Sequence, residues 1–308
     1  MNLDTRWLED FLALAEIRHF SKAAEARHIT QPAFGRRIKA LETAVGHTLV
    51  DRSTTPIGLT PTGRQFHSTA RNILVQMHQG VENLDQLNAP LLNPIIISCP
   101  HSLASPTLIN LIDSVTNNNQ TLPFSIDILR VEVGIEALKE GNCDFLFCFE
   151  LMELMQPPFT NIRLGDGQFL LVSAADRDGQ PLFNLNMPTL PYLRYTSGSN
   201  SARLIEQYQP SLDVKLSGVF ESSMCQMHKE MVQRGKGVAW LPDNLIQEEL
   251  NSGQFIALNP SRLHIPFQVR LYRNNGTLHP DAEKWWDHLD NACQNGCQLI
   301  SPWQEKKG

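Results

Sequence analysis

The amino-acid sequence predicts an α+β protein of several domains: a small helical N-terminal domain, one long linking helix and a two-lobed α/β domain. Three observations support this prediction: a cluster of short helical segments, a seven-residue apolar repeat after it, and an alternation of strands and helices that begins twice in the remaining chain. We place the domains at residues 1–63, 64–90 and 91–308. The third would contain lobe I, about 94–167 and 270–308, and lobe II, about 168–269.

The length and composition of the chain fit this division. With 308 residues the chain is long for one domain, and its 42% hydrophobic and 19% charged residues are ordinary for a globular protein. No apolar run reaches the ~18 residues that span a bilayer, and the N-terminus carries Asp4, Glu9 and Asp10 instead of a basic and then apolar leader. We therefore expect a cytoplasmic protein that does not enter a membrane and whose six cysteines are reduced thiols.

The distribution of charge indicates a partner for the N-terminal domain. Residues 1–64 contain nine Lys/Arg and seven Asp/Glu, although the whole chain has a formal net charge of −6. A weakly basic head on an acidic body is typical of a nucleic-acid-binding module joined to a domain that stays off the nucleic acid.

Three helices are expected within the first sixty residues. The apolar stripe of the first helix consists of Trp7, Phe11 and Leu14. We expect Ser21 to cap the second helix and Thr30 to cap the third, which would end at Gly46. The inward face of the third helix would consist of Ile38, Leu41 and Val45.

A seven-residue repeat of apolar or small residues follows. Its members are Phe66, Ala70, Ile73, Met77, Gly80, Leu84 and Leu87. The average spacing of 3.5 residues favours a helix that pairs with a second copy, and an amphipathic helix packed on its own domain is the alternative. Pro90 and Pro94 would end the helix and mark a linker.

The rest of the chain alternates between strands and helices. Strands are predicted at Ile95–Ser98, Phe124–Val131, Phe145–Phe149, Phe169–Ser173, Tyr192–Tyr195, Lys215–Phe220, Val238–Leu241, Phe255–Leu258 and Phe267–Tyr272. This order is typical of a parallel-rich sheet flanked by helices. Two such lobes predict a cleft between them, where small molecules bind.

Several motifs resemble those of LysR-type transcriptional regulators. The N-terminal motifs are Phe20-Ser21-Lys22-Ala23-Ala24, Thr30-Gln31-Pro32-Ala33, Arg36-Arg37-Ile38-Lys39-Ala40-Leu41-Glu42, Leu49-Val50-Asp51-Arg52 and Leu59-Thr60-Pro61-Thr62-Gly63. Gly141-Asn142-Cys143-Asp144 and residues 235–242 resemble the sensor domain of that family, so the resemblance covers the whole chain. It implies a winged helix-turn-helix, a long dimerisation linker helix and a two-lobed α/β periplasmic-binding-protein-like effector domain. It also implies a homodimer or homotetramer that has neither enzymatic activity nor a cofactor.

The resemblance and the shape of DNA identify candidate DNA contacts. A helix fits the major groove, where its first turns reach base edges while flanking cations hold phosphates. By resemblance, the start of the third helix faces bases, Arg36 and Arg37 contact phosphates or a guanine, and Arg52 serves the wing near the minor groove. The full expected set is Ser21, Lys22, Thr30, Gln31, Pro32, Ala33, Arg36, Arg37, Lys39 and Arg52. The expected partner is double-stranded promoter DNA, and RNA polymerase is left open as a further partner.

Residues at strand ends identify candidate effector contacts. His101 and Ser102 follow the first strand of the sensor, where the N-terminus of a helix favours anions or polar acceptors. The matching turn of the second lobe contains Tyr195, Thr196 and Ser197, and another strand end contributes Ser222 and Met224. We expect these seven residues to contact a small-molecule effector.

Sulfur chemistry offers a different signal. Met224, Met227 and Met231 share one helix face, and the chain resembles the hypochlorite-responsive branch of the family in Trp7-Leu8 and Ser222-Ser223-Met224. Oxidation of Met or Cys in an oxidative stress response would then replace metabolite capture, with core packing as the alternative for the methionines. Cys293 and Cys297, at i and i+4, could bind a metal or sense an oxidant. Because four ligands are not visible, we expect a structural role for both thiols and no metal site.

Two other classes of protein fit the sequence less well. An enzyme in the two-lobed domain lacks support, because no G-x-S-x-G elbow, Walker A loop, H-E-x-x-H or glycine-rich dinucleotide turn is present. A solute-binding transport protein would share the two-lobed fold, but it needs export and has no DNA-binding head.

Overall fold

The computed structural model of the chain describes residues 3–82, 94–115, 122–208 and 214–304. Its α-helices are α1 (Thr5–Ile17), α2 (Phe20–Ala26), α3 (Gln31–Val45), α4 (Pro61–Glu82), α5 (His101–Leu103), α6 (Ile109–Val115), α7 (Val131–Glu140), α8 (Asn200–Tyr208), α9 (Cys225–Gln233), α10 (Gln247–Ser252) and α11 (Pro280–Gln294). None of the helices in these ranges combines the length and the apolar character needed to cross a bilayer.

The strands belong to one large sheet and two small ones. They are β1 (Val50–Asp51), β2 (Gly58–Leu59), β3 (Ile95–Cys99), β4 (Phe124–Ile128), β5 (Phe145–Phe149), β6 (Phe159–Ala174), β7 (Leu190–Tyr195), β8 (Leu216–Ser222), β9 (Ala239–Pro242), β10 (Phe255–Ala257) and β11 (His264–Asn274). A π-helical turn, Ala104–Leu108, connects α5 to α6, and 3-10 turns occupy Met152–Leu154 and Asp243–Leu245.

Helices α1, α2 and α3 and the short hairpin β1–β2 form a winged helix-turn-helix, which we call the head. Their core consists mainly of Leu8, Phe11, Leu14, Ala23, Ala24, Phe34, Ile38 and Leu41, all of them buried. The two alanines of α2 allow its neighbours to approach closely. Within this core the carboxylate of Asp10 is fully buried and accepts hydrogen bonds from Arg27 Nε at 2.8 Å and Arg37 Nη1 at 3.1 Å. Asp10 thereby connects α1 to the end of α2 and to α3.

The helix caps differ in one case from the prediction. Helix α2 is capped by His19, whose ring Nδ1 accepts the Lys22 N–H at 3.4 Å, so the prediction of Ser21 as the cap is wrong. The helix begins two residues earlier than predicted because His19 has the extended backbone that a cap needs. Thr30 and Gly46 occupy the N-cap and C-cap of α3 as predicted, Gly46 at φ 75°. Thr30 makes no capping hydrogen bond through its side chain to any described residue.

The first half of α4 packs on its own domain. Ala70 is fully buried in the core of the winged helix-turn-helix, and Phe66 and Ile73 pack against it. This part of the seven-residue repeat therefore follows the alternative of an amphipathic helix on its own domain. Met77, one turn further on, is 48% exposed and free for a second copy of the helix. Leu84, Leu87 and the predicted stop at Pro90 lie outside the described residues.

Lobe I is built on the parallel strands of the large sheet. The order of the sheet is β10-β6-β11-β5-β3-β4, with β9 also paired to β6. Strand β3 is parallel to β4 and β5, whereas β11 is antiparallel to both β5 and β6. Helix α11 covers this lobe through Trp285 and Trp286, which contact Phe145 at ring-centroid distances of 5.2 and 5.8 Å.

The two lobes share their longest strands. Strands β6 and β11 pair from lobe I into lobe II, with a register shift between Val269 and Arg270. Lobe II adds the parallel pair β7–β8, which meets the large sheet through the bridge between Tyr192 and Val238. Ile300 pairs with Gly165 at the register shift. Its carbonyl lies so close to Gly165 that a Cβ at this position would have no room.

The secondary structure differs from the sequence prediction at a few boundaries. The predicted strand Phe124–Val131 ends at Ile128, because Val131 already begins α7. Strand β6, with 16 residues, and β11, with 11, are much longer than predicted. Polar residues and glycines interrupt the apolar alternation in both strands, so the sequence pattern does not reveal their full length. The hydrogen-bonded ladder between β6 and β11 shows that each strand is continuous.

Candidate functional site

The exposed face of α3 and the start of α2 form one continuous recognition surface. We define it by Ser21, Lys22, Thr30, Gln31, Pro32, Ala33, Arg36 and Lys39, all exposed except the half-buried Ala33. The face of α3 that points the other way carries Phe34, Ile38 and Leu41. Ser21 donates a hydrogen bond to Gln31 Oε1 at 2.8 Å, which joins the two helices across this surface.

The cations of the recognition surface are available to a ligand. Lys22, Arg36 and Lys39 are exposed, and none of them forms an ion pair with any residue in the described ranges. An exposed and unpaired cation beside a helix start is what a phosphate contact needs.

Arg37 differs from its neighbours. Its Nη1 pairs with the buried Asp10 at 3.1 Å, and only 29% of its side chain is exposed. Arg37 remains a predicted DNA contact, but this pairing turns part of its guanidinium towards the interior of the head, where it also holds α3 in place.

Arg52 connects the wing to α3. Its Nη2 lies 3.2 Å from Glu42 Oε2, and its guanidinium lies 5.5 Å from the ring centroid of Phe20. Glu42 also accepts the N–H groups of Leu49 and Val50, which enter the wing. Because 52% of the Arg52 side chain remains exposed, it can still meet a phosphate near the wing.

A cleft of about 210 Å³ separates the two lobes. Lobe I lines it with residues 100–102 and 128–132 and with Phe149, and lobe II with residues 199–201 and 223–225. Four helices, α5, α7, α8 and α9, begin at these segments. The N-termini of the three longer helices, α7, α8 and α9, have N–H groups and dipoles that favour an anion, whereas α5 is a single turn of three residues.

Several hydrogen-bond donors at the helix starts in the cleft have no side-chain acceptor among the described residues. Pro100, Arg130 and Met224 are the N-caps of α5, α7 and α9, and no side chain among the described residues caps these helices. Asn200 Nδ2, at the start of α8, is buried without a hydrogen-bond partner in the described part of the chain. These groups need an acceptor, which a ligand can supply.

The cleft contains three of the seven predicted effector contacts. His101, Ser102 and Met224 line it, whereas Thr196 and Ser222 do not. Ser197 lines a separate cavity of about 320 Å³ on lobe II. Sequence reasoning missed several polar residues that line the cleft, among them Arg130, Glu132, Asn200 and Ser201. The Ser-Asn-Ser run at the start of α8 was the available signal, since such residues favour helix starts.

Tyr195 belongs to the core of lobe II. Its hydroxyl donates to the Trp240 carbonyl at 3.1 Å, and its ring lies edge-on to His228 at 4.4 Å. Only 4% of the residue is exposed, and burial raises the pKa of its hydroxyl well above the ordinary value. Tyr195 therefore does not line the interlobe cleft; like Ser197, it borders the separate cavity on lobe II.

Side-chain contacts join the two lobes within the described part of the chain. Glu132 at the start of α7 pairs with Arg203 on α8, and Asn244 donates to the Thr107 hydroxyl. We call the Glu132–Arg203 pair the latch. Because both of its side chains are partly exposed, it can open without a large loss of stability.

Sulfur atoms occur both in the cleft and away from it. Met224 is 39% and Met227 45% exposed, so core packing does not explain them, whereas Met231 packs partly against the core. Ser222 Oγ lies 3.4 Å from Met227 Sδ. Cys225 is buried, which raises the pKa of its thiol to about 12 and keeps it protonated. Cys293 is half-buried and Cys297 exposed, and no group of three metal-binding side chains occurs in the described ranges.

Comparisons with known proteins agree with these two sites. Residues 5–64 match the family of bacterial regulatory helix-turn-helix proteins of the lysR family, and residues 88–294 match the LysR substrate binding domain. The chain is 38% identical over 290 residues to the HTH-type transcriptional regulator YjiE of Escherichia coli K12, covering 94% of both chains.

Two solved structures are similar over almost their whole length. DarR of Vibrio fischeri, in complex with DNA, is 37% identical at a TM-score of 0.60, covering 94% of this chain and 99% of DarR. HypT of Salmonella typhimurium, a hypochlorite-specific LysR-type regulator, is 34% identical at a TM-score of 0.61, covering 96% and 99%. The chain therefore belongs to the LysR family and is a DNA-binding transcriptional regulator with an effector-binding domain.

Proposed function

We propose that the recognition surface enters the major groove of promoter DNA and that the interlobe cleft binds a small anionic effector. Regulators of this family bind promoter DNA, form oligomers and bind small-molecule effectors. The observation that carries the proposal is Arg36 on the outer face of α3, which is exposed and forms no ion pair with any described residue, on the helix that begins with Gln31 and Pro32. A helix placed in this way meets base edges with its first turn and phosphates with its flanking cations.

The exposed part of α4 supports a dimer in which two chains place their heads side by side. Exposed Met77 on α4 is available to a second copy of the helix, in register with the seven-residue repeat. We propose a dimer through α4, which would place two recognition surfaces on adjacent half-sites. The division at 1–63, 64–90 and 91–308 belongs to this proposal, as does a cytoplasmic location, where chromosomal DNA lies.

Replacing Arg36 with alanine is expected to weaken binding to the DNA upstream of the protein's own gene by about tenfold and to lower the salt slope by about one, because one phosphate contact is lost. Electrophoretic shifts at several salt concentrations measure both quantities. The control is Arg234→Ala, which removes an exposed guanidinium from lobe II. An unchanged salt slope in Arg36→Ala would remove Arg36 from the phosphate contacts.

The size and lining of the cleft limit the effector. A volume of about 210 Å³ holds roughly seven waters, at ~30 Å³ each, and so a molecule of only a few heavy atoms. The helix starts supply donors for an anionic group, whereas Ile128, Leu129 and Phe149 supply apolar walls. This combination fits a small carboxylate better than a bare inorganic ion.

A second candidate signal is an oxidant. Met224 is exposed in the cleft, so a small oxidant that enters can reach its sulfur. Sulfoxide formation would place a polar oxygen among the helix N-terminal donors, in the position proposed for an anion. The similarity to HypT, a hypochlorite-specific regulator, favours this candidate.

Replacing Ser102 with tryptophan is expected to fill the cleft and abolish stabilisation by its ligand. The probes are a series of small mono- and dicarboxylates, together with inorganic phosphate, in thermal shift measurements. A ligand at 100 times its Kd stabilises wild-type protein by about 2.7 kcal/mol. Ser197→Trp is the matched control, because Ser197 lines the separate cavity. Loss of the shift in both variants, or in neither, would contradict the assignment, and no shift in the wild type would overturn the carboxylate proposal.

A further inference from the structure

The DNA-binding head is docked on lobe I of its own chain. Arg18, which follows α1, pairs with Glu140 at the end of α7. Arg71 on α4 donates to the Gly141 carbonyl at 2.8 Å and to Asp144 Oδ1 at 2.6 Å. We call this set of contacts, together with His67 and Ser68 of α4, the docking seam.

The docking seam is closely fitted. Gly141 has φ 72°, and a Cβ at this position would lie 2.6 Å from Ser68 Oγ and 2.8 Å from His67 Nδ1. Only glycine suits both this backbone conformation and this approach. Asp144 is 1% exposed, and its Oδ2 accepts the Ile96 N–H at 2.8 Å, so the carboxylate that receives Arg71 is held by the main sheet of lobe I.

Helix α7 connects the docking seam to the cleft. Its first residues, Val131 and Glu132, line the cleft, and its last residue is Glu140. The helix has ten residues and is therefore ~15 Å long. It lies tightly on β5, since a Cβ at Gly134 would come within 2.9 Å of Leu146 Cδ1. Motion at one end of such a packed helix moves its other end.

We infer that α7 is the element through which the cleft controls the head: the latch fixes its N-terminal end, and the docking seam fixes its C-terminal end. This inference rests on the proposed function of the cleft. An effector that contacts the start of α7 shifts this helix along lobe I. The shift loosens or tightens the docking seam at the other end of α7. The direction in which the recognition surface points then changes. The two states differ in the seam contacts, which supplies the differential interaction that a population shift requires.

Charge reversal in the full-length protein tests the docking seam. Glu140→Arg places a cation opposite Arg18 and is expected to speed hydrogen exchange of the amides of residues 67–71 and 138–144 by about fivefold. Arg18→Glu is expected to do the same, and the double variant Arg18→Glu/Glu140→Arg to restore slow exchange. The control is Glu136→Arg, the same substitution one turn earlier on α7, where Glu136 pairs with Lys139. Equal exchange in Glu140→Arg and Glu136→Arg, or no rescue in the double variant, would overturn the docking.

A second set of variants tests transmission without any ligand. Arg203→Glu turns the latch into a repulsion at the start of α7, and we expect faster exchange at residues 138–144, at the far end of the helix. Arg194→Glu is the matched control, because Arg194 pairs with Glu221 inside lobe II. Unchanged seam exchange in Arg203→Glu would overturn the role of α7. The carboxylate thermal shift is scored separately, so a failure of the cleft as an effector site is distinguishable from a failure of α7 as its link to the head.

Discussion

Replacing Asp10 with alanine is expected to lower the free energy of unfolding of the winged helix-turn-helix by about 3 kcal/mol, because the two guanidiniums that it pairs would lose their buried partner. Asp10 is fully buried, whereas Arg27 and Arg37 keep about 30% of their side chains exposed. They could gain more contact with solvent only by leaving the positions that hold α2 and α3 against α1. The hydrogen bond from Arg27 to Asp10 also raises the pKa of Arg27.

The loss of stability in Asp10→Ala should also weaken DNA binding, because Arg37, which Asp10 holds, lies on α3. Without Asp10 the angle between α2 and α3 is no longer fixed, and the recognition surface loses the geometry that groove entry needs. We expect Asp10→Ala to bind the upstream DNA fragment at least about tenfold more weakly, a change of 1.4 kcal/mol. The salt slope should fall less than in Arg36→Ala, since the phosphate-binding cations remain.

Hydrogen exchange of amides in α1, α2 and α3 measures the stability of the head within the full chain. The matched control is Glu9→Ala. Glu9 pairs with the same Arg27, but 33% of its side chain is exposed, so its loss should cost less than about 1 kcal/mol. If both variants lost the same stability, the buried position of Asp10 would not be the source of its effect.

The sequence predicted the helices of the head well, but not the partners of its charges. Periodicity identified Phe11, Leu14, Ile38 and Leu41 as core residues, and all four are buried. Arg36 and Arg37 are adjacent and chemically identical, and only the packing of α1 shows that Arg37 meets Asp10 while Arg36 pairs with no described residue. A buried carboxylate cannot be recognised from composition, because its burial depends on cations that lie 17 and 27 residues away.

The cleft was predicted in its position and only partly in its residues. His101 and Ser102 follow a strand that was easily recognised, and they line the cleft. Tyr195 ends a strand in the same way, yet its side chain points into lobe II, because successive residues of a strand alternate between its two faces. The residues that matter there, 199–201, begin the next helix four residues later, and no alternation of strand residues could have indicated them.

Acidification is expected to weaken the head and its docking through His67. The imidazole is 6% exposed, and burial, followed by the charge of Arg71, lowers its pKa to about 4. In the unfolded chain the same group titrates near 6.5, so between these values the unfolded state binds the proton first. Stability is therefore fully present above pH 6.5 and is lost as the pH falls towards 4, by about 3 kcal/mol in total.

The position of His67 connects this loss to the docking seam. Its ring lies 6.2 Å from the ring of Phe11 in the head core and faces Gly141 of lobe I, and the charge that acts on it is that of Arg71, which pairs with Asp144. Its protonation would place a second cation beside Arg71. We expect His67→Gln to flatten the dependence of stability on pH between 6.5 and 4, whereas His288→Gln, at an exposed position of α11, should keep it. Urea unfolding at several pH values, with hydrogen exchange of residues 67–71, separates the two results. Parallel curves for wild type and His67→Gln would place the acid sensitivity elsewhere, because a histidine that keeps its proton equally in both states contributes no slope.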